Sequence, residues 1–144
     1  MNTVVSGDRY GFVPDVHEIC PVEHKFSDEV YTREIFMPKG LLIVGKTHRT
    51  RHLNVVLTGE CDVMINGEIK NIKAPFTFES LAGSQKTLYI YEDCRWMTIH
   101  VNHDNETDLD TLEDRYIDSN DEQPHLIIDK FKQHIEGSDK WLGQ

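Results

Sequence analysis

The 144-residue chain predicts an all-β fold: one small barrel or sandwich, with non-β segments at either end. Two observations carry this. Short runs rich in β-branched and aromatic residues recur every eight to twelve residues between turn signals, from about residue 30 to 103. Within "ECDVMI", Cys61, Val63 and Ile65 alternate with Asp62 and Met64, the period of a half-buried strand. A third observation sets the limits. Residues 104–144 hold 12 acidic and 4 basic residues, a net charge of -8 out of -10 for the whole chain, and their apolar spacing changes to three and four.

The elements follow in order. Residues 1–29 read as an N-terminal extension broken by Gly7, Gly11, Pro14 and Pro21, with a helical turn within "EHKFSDEV". "VYTREIFM" is the first barrel strand and stops at Pro38-Lys39-Gly40. "LLIVGKTH", "HLNVVLTG" and "ECDVMI" follow as separate strands. Asn66-Gly67 predicts a type I′ hairpin turn, because both central residues of that turn need positive φ. "EIKNIKA" returns from it, and "KTLYIYE" and "RWMTIHVN" are two further strands separated by polar "EDCR". Beyond residue 104, Leu109, Leu112 and Tyr116 predict one helix. Pro124, the stripe of Ile127, Ile128, Phe131 and Ile135, and Gly137 predict a second. All of this is one domain by length.

Composition excludes some functions. The acidic balance argues against a nucleic-acid backbone as ligand, since such binding rests on clustered Lys and Arg. No apolar run approaches the roughly 18 residues of a membrane span. The opening residues lack the basic-then-apolar pattern of a secretory signal, and Cys20, Cys61 and Cys94 are odd in number without CxxC spacing. Free thiols in the cytoplasm are the expectation. The motifs of serine hydrolases and of P-loop enzymes are absent.

Chemistry gathers around His48 and His52. On an extended strand four residues span about 13 Å at roughly 3.3 Å each, too far for one metal ion. The flanks "LLIVG" and "LNVVLTG" favour strands over helix. The remaining arrangement is two antiparallel strands with a turn through Arg49-Thr50-Arg51, which brings both rings to one face. His100 alternates with Trp96 and Thr98 on the closing strand and can join them. Three nitrogens with an open position is how catalytic zinc and non-haem iron sites are built. Lys46, Lys86 and Tyr89 suggest instead a pocket for an anionic ligand, with cations for its charge and an aromatic wall for its body.

The segment "GKTHRTRHLNVVLTGECDVMING" resembles the first conserved motif of the cupin superfamily, the RmlC-like jelly-roll barrels. Counting back from Gly59, His52 falls where the family carries a glutamate, His48 at a family histidine, and Lys46 at the position of another. "PFTFESLAGSQKTLYIY" is similar to the second motif, with Gly83 at its turn and Lys86 at its histidine. "GKTHRTRH", "LTG", "KAP" and "MTIHVN" also resemble small cupin proteins encoded by bacteriophages. The resemblance implies a cupin barrel over residues 30–103, to which the two short C-terminal helices are appended. It also implies a divalent transition metal (Zn, Fe, Ni or Mn) on His48 and His52, with His100 of the closing strand as the third ligand in place of the family positions held by Lys46 and Lys86, and Lys86 orienting a small anionic molecule. Three functions remain side by side: a metal-binding cupin with metal-assisted chemistry on an anionic ligand, a non-catalytic phage module that binds a nucleotide or metabolite, and a structural protein. A homodimer is expected from the sheet edges and the helical stripe.

Overall fold

The computed structural model describes residues 19–118 and 133 and the backbone of residues 3–6 and 12–13. The second expected helix, at residues 124–137, lies outside the described residues. Among the described residues the elements are β1 (Thr3–Ser6), β2 (Phe12–Val13), β3 (Val22–Ser27), β4 (Val30–Met37), β5 (Leu41–Val44), β6 (Thr47–His48), β7 (His52–Ile65), β8 (Glu68–Lys73), β9 (Phe76–Ser80), β10 (Lys86–Val101), α1 (Leu109–Tyr116) and β11 (Ile117–Asp118). The all-β expectation is met. Among the described residues no helix is long and apolar enough to cross a membrane.

The framework is an antiparallel pair of long strands. β10 pairs with β7 along most of its length, with β4 on its other side, and with β5 near its start. β7 also carries β8 and β9, so nine strands join into one sheet that curls around a core of Met37, Ile43, Val56, Cys61, Ile90 and Trp96. Cys20, Cys61 and Cys94 are buried free thiols.

Three sequence readings need correction. "EHKFSDEV" is not a helical turn: β3 runs through it, pairs with β4, and turns at Asp28 and Glu29, the latter with φ of 58°. "HLNVVLTG" and "ECDVMI" form one strand, as do "KTLYIYE" and "RWMTIHVN". Each is interrupted by a bulge rather than a turn, and the register between β7 and β10 shifts around Glu92 and Arg95. Gly59 makes this bend possible. Its φ is +95°, and a Cβ there would stand 2.6 Å from the Cys94 Sγ and 2.8 Å from the Glu92 carbonyl oxygen.

The Asn66-Gly67 turn has the expected geometry, with φ values of 50° and 84°. The first expected helix is α1, capped by the Asp108 carboxylate, which accepts from the Thr111 amide at 2.9 Å. Leu112 and Tyr116 bury their side chains against Tyr31 of β4, while Leu109 stays exposed. β11 then leaves the helix and pairs with β6, Ile117 opposite His48. Thus the segment after the barrel folds back over one end of it.

Candidate ligand site at the barrel mouth

The site is assembled where β6, β7, β10 and α1 meet. His48 is held on both sides by backbone: its amide donates to the Ser84 carbonyl at 3.0 Å, its carbonyl accepts from the Gly83 amide at 2.8 Å, and β11 lies alongside. Arg49 locks β11 in place, its amide donating to the Tyr116 carbonyl and its Nε to the Ile117 carbonyl. His52 opens β7 and His100 stands near the end of β10, both facing inward and buried.

The three rings converge. Their centroids are 4.4 Å apart for His48–His52, 5.1 Å for His52–His100 and 5.9 Å for His48–His100. The route differs from the expected one, because β6 and β7 do not pair with each other; β6 has β11 as its partner, and the turn merely swings the rings together. Tyr116 stacks on His100 at 4.5 Å, so α1 supplies a lid over the cluster.

Burial decides the protonation of all three. It pushes His48 down to about 2, helped by Lys86 and the other two imidazoles. It pushes His100 down to about 3, with His52, Arg33 and Lys86 adding to the effect. His52 falls to about 4 from burial and Lys86, although its bond to the Thr50 carbonyl opposes the fall. Lys86 is lowered to about 8, by burial. At neutral pH the rings are therefore uncharged and Lys86 is mostly an ammonium.

The hydrogen bonds fix the His52 tautomer. A carbonyl only accepts, so Nδ1, 3.1 Å from the Thr50 oxygen, carries the ring proton. The lone pair is then on Nε2, which lies 3.2 Å from Lys86 Nζ and accepts from it. This bears directly on the expected metal. Three imidazoles on one metal, at bonds of about 2.0–2.1 Å, would place their centroids about 5 Å apart, close to what is seen. Yet the lone pair a metal would take from His52 is engaged by an ammonium, whose charge also repels a cation. Among the described residues no group of three or more His, Cys, Asp or Glu is arranged to hold a metal ion. As it stands, the cluster does not fit one.

Two cavities flank His48. The inner one, about 60 Å³, is bordered by Arg33, Lys46, His48, Asn54, Lys86 and Trp96. Hydrogen bonds tie its wall together: Asn54 Oδ1 accepts from Trp96 Nε1 at 3.0 Å, and its Nδ2 donates to Ser80 Oγ at 2.8 Å. The outer one, about 200 Å³, lies under α1 between Tyr31, Arg33, His48, His100, Glu113 and Tyr116. His48 Nδ1, Thr50 Oγ1, Ser84 Oγ and His100 Nδ1 are buried polar atoms without a hydrogen-bond partner, and all four belong to this end of the barrel.

Of the residues expected to bind ligand, Lys46 and Lys86 line the inner cavity, whereas Tyr89 borders neither cavity. Tyr89 is three residues from Lys86 on one strand and so points to the opposite face, edge-on to Tyr91 at 5.1 Å. Sequence reasoning missed Arg33, which faces both cavities. The signal was there: Tyr31, Ile35 and Met37 mark the inward face of β4, and Arg33 has the same parity.

Comparison with solved structures decides the architecture. The chain is similar to an RmlC-like cupin from Shewanella frigidimarina, with a TM-score of 0.52 over 61% of this chain and 80% of that one, at 19% identity. The barrel has the cupin fold. KdgF from a Halomonas species matches with a TM-score of 0.51, covering 61% of this chain and 84% of that one at 14% identity. A salicylate 1,2-dioxygenase from Pseudoaminobacter salicylatoxidans matches at 0.53 and 12% identity, over 59% of this chain but only 25% of the larger enzyme. No protein-family model and no curated protein matches the chain.

Proposed function

We propose that this chain is a cupin-type binding protein that holds a small anionic molecule at the mouth of its barrel. The observation that carries this reading is charge: among the described residues Arg33, Lys46 and Lys86 border the inner cavity and no carboxylate does. The neutral histidines leave that positive field undiminished, and their unpartnered Nδ1 atoms offer polar edges to a ligand. Each such buried atom costs about 1–3 kcal/mol while unsatisfied, which a bound molecule recovers. Size favours a metabolite of few heavy atoms over a nucleotide, since both cavities fall below the roughly 300–1,000 Å³ of pockets for drug-sized ligands. A thermal-shift screen of small carboxylates, sugar phosphates and nucleotides tests the proposal. The expected result is a rise in melting temperature with a small anion, lost in Lys86→Met. No shift with any anion sinks it.

A metal-loaded form is the second reading, favoured by the spacing of the three rings alone. It requires Lys86 to leave His52. Metal analysis of tag-free protein beside His48→Ala and His52→Ala checks it: substoichiometric metal, unchanged by either substitution, ends it. The likeness to phage-encoded cupins rests on the sequence motifs, and the homodimer is a proposal that light scattering checks.

A further inference from the structure

Arg33 lies on β4 with 8% of its surface exposed, between the inward-facing Tyr31 and Ile35. A guanidinium keeps its proton throughout the physiological range. A cation this deeply buried ordinarily meets a carboxylate, because otherwise it forfeits hydration without return. Among the described residues none reaches Arg33 at salt-bridge distance. Glu113 attracts it from the outer cavity, Tyr31 and Cys20 lie nearby, and burial lowers its pKa all the same. Its backbone sits in the sheet ladder, and its carbonyl also accepts from Thr98 Oγ1 at 3.3 Å. The side chain therefore presents a planar fork of donors to the wall shared by both cavities.

We infer that Arg33 anchors an oxyanion, the carboxylate or phosphoryl group of a small metabolite, in the inner cavity between Arg33 and Lys86. This rests on the anion-binding reading above and gives it a specific anchor and ligand chemistry. The guanidinium fork matches two oxygens of one such group, which a point charge does not. Lys86 adds to it: an ammonium has three donors, and the bond to His52 uses one. The inner cavity is preferred because Asp110 and Glu113 border the outer one and repel an anion there. Its volume has room for on the order of four water molecules, which limits the bound group to a few heavy atoms. Asn54 is fully engaged with Trp96, Ser80 and the Phe78 carbonyl, so recognition falls to the cations.

An anchor of this kind has a signature that a structural arginine lacks. Without ligand its charge is a burden, so deleting the charge should help the empty protein while harming binding. The test titrates wild type, Arg33→Met, Arg33→Lys and Lys86→Met with glyoxylate, malonate and inorganic phosphate, by calorimetry and thermal shift. At least one probe should bind wild type, and the carboxylate and phosphate arms tell the two sources apart. Arg33→Met should melt higher than wild type when empty and bind that probe at least about tenfold more weakly, the scale of one charge-assisted bond. Arg33→Lys should fall between them. An Arg33→Met protein that melts lower when empty, or binds the probe as wild type does, overturns the inference. Binding lost in Lys86→Met but kept in Arg33→Met overturns it while leaving the anion reading intact. If wild type binds none of the probes, both fall.

Discussion

Two polar clusters lie in different parts of the barrel, and they are built on opposite terms. In the first, on the face of the sheet turned away from the cavities, Asp62 accepts from the Tyr91 hydroxyl at 2.6 Å and from Asn71 Nδ2 at 3.0 Å. Donors and acceptors there match. In the second, at the mouth, cations outnumber anions around the inner cavity and four polar atoms go without partners. A satisfied network holds a fold together, whereas an unsatisfied one costs stability and is retained only where something else completes it. The contrast sets a satisfied polar network beside one that is incomplete without a partner.

The largest effect that can break this comparison lies on the satisfied side. Asp62→Ala removes the acceptor of the buried Tyr91 hydroxyl and one of the Asn71 bonds, and should cost about 2 kcal/mol in denaturant unfolding while leaving anion binding unchanged. A loss below about 1 kcal/mol would mean that the first cluster is as dispensable as the second.

Acid sharpens the comparison next. The folded-state pKa of each mouth histidine lies below the unfolded value near 6.5, so acid protonates the unfolded chain first. Stability is full above about pH 6.5 and falls as pH drops toward the folded-state values. From His100 alone, going from pH 7 to pH 5 should remove on the order of 2 kcal/mol, and His100→Gln should flatten the curve. A profile that stays level down to pH 5 contradicts buried neutral imidazoles.

A third test asks whether Lys86 is what keeps the histidines from acting as a metal site. Lys86→Gln frees His52 Nε2 and removes a like charge worth a few kcal/mol at an effective dielectric near 20. Zinc should then bind at least about tenfold more tightly than to wild type by calorimetry. Equal affinity would show that ring geometry, not the ammonium, is the obstacle. The smallest effect belongs to the lid: Asp108→Ala removes the α1 cap and should cost about 1 kcal/mol, seen as faster amide exchange across residues 109–116 with the barrel unchanged.

Much of this was legible in the sequence, for reasons that also explain what was not. Period-2 alternation and Asn66-Gly67 revealed the strands and the hairpin because both report local backbone preferences. The same alternation hid the continuity of β7: its inward residues are His52, Asn54 and Val56 before Gly59 but Cys61, Val63 and Ile65 after it. One extra residue at a bulge reverses the phase, so one strand reads as two. His48, His52 and His100 were readable as a set, and the structure brings them together. Tyr89 was grouped with Lys86 although strand parity separates them. Arg33 escaped because an arginine among strand residues suggests solvent, and its side-chain type outweighed its parity. The partnership of β6 with β11 has no local signal, since it depends on where α1 delivers the chain.

That last pairing also joins distant parts of the chain. Arg49, beside His48, is fastened to Ile117, 68 positions later in the chain. Covering the mouth therefore closes a long loop of chain, at an entropic cost that grows only slowly with loop length.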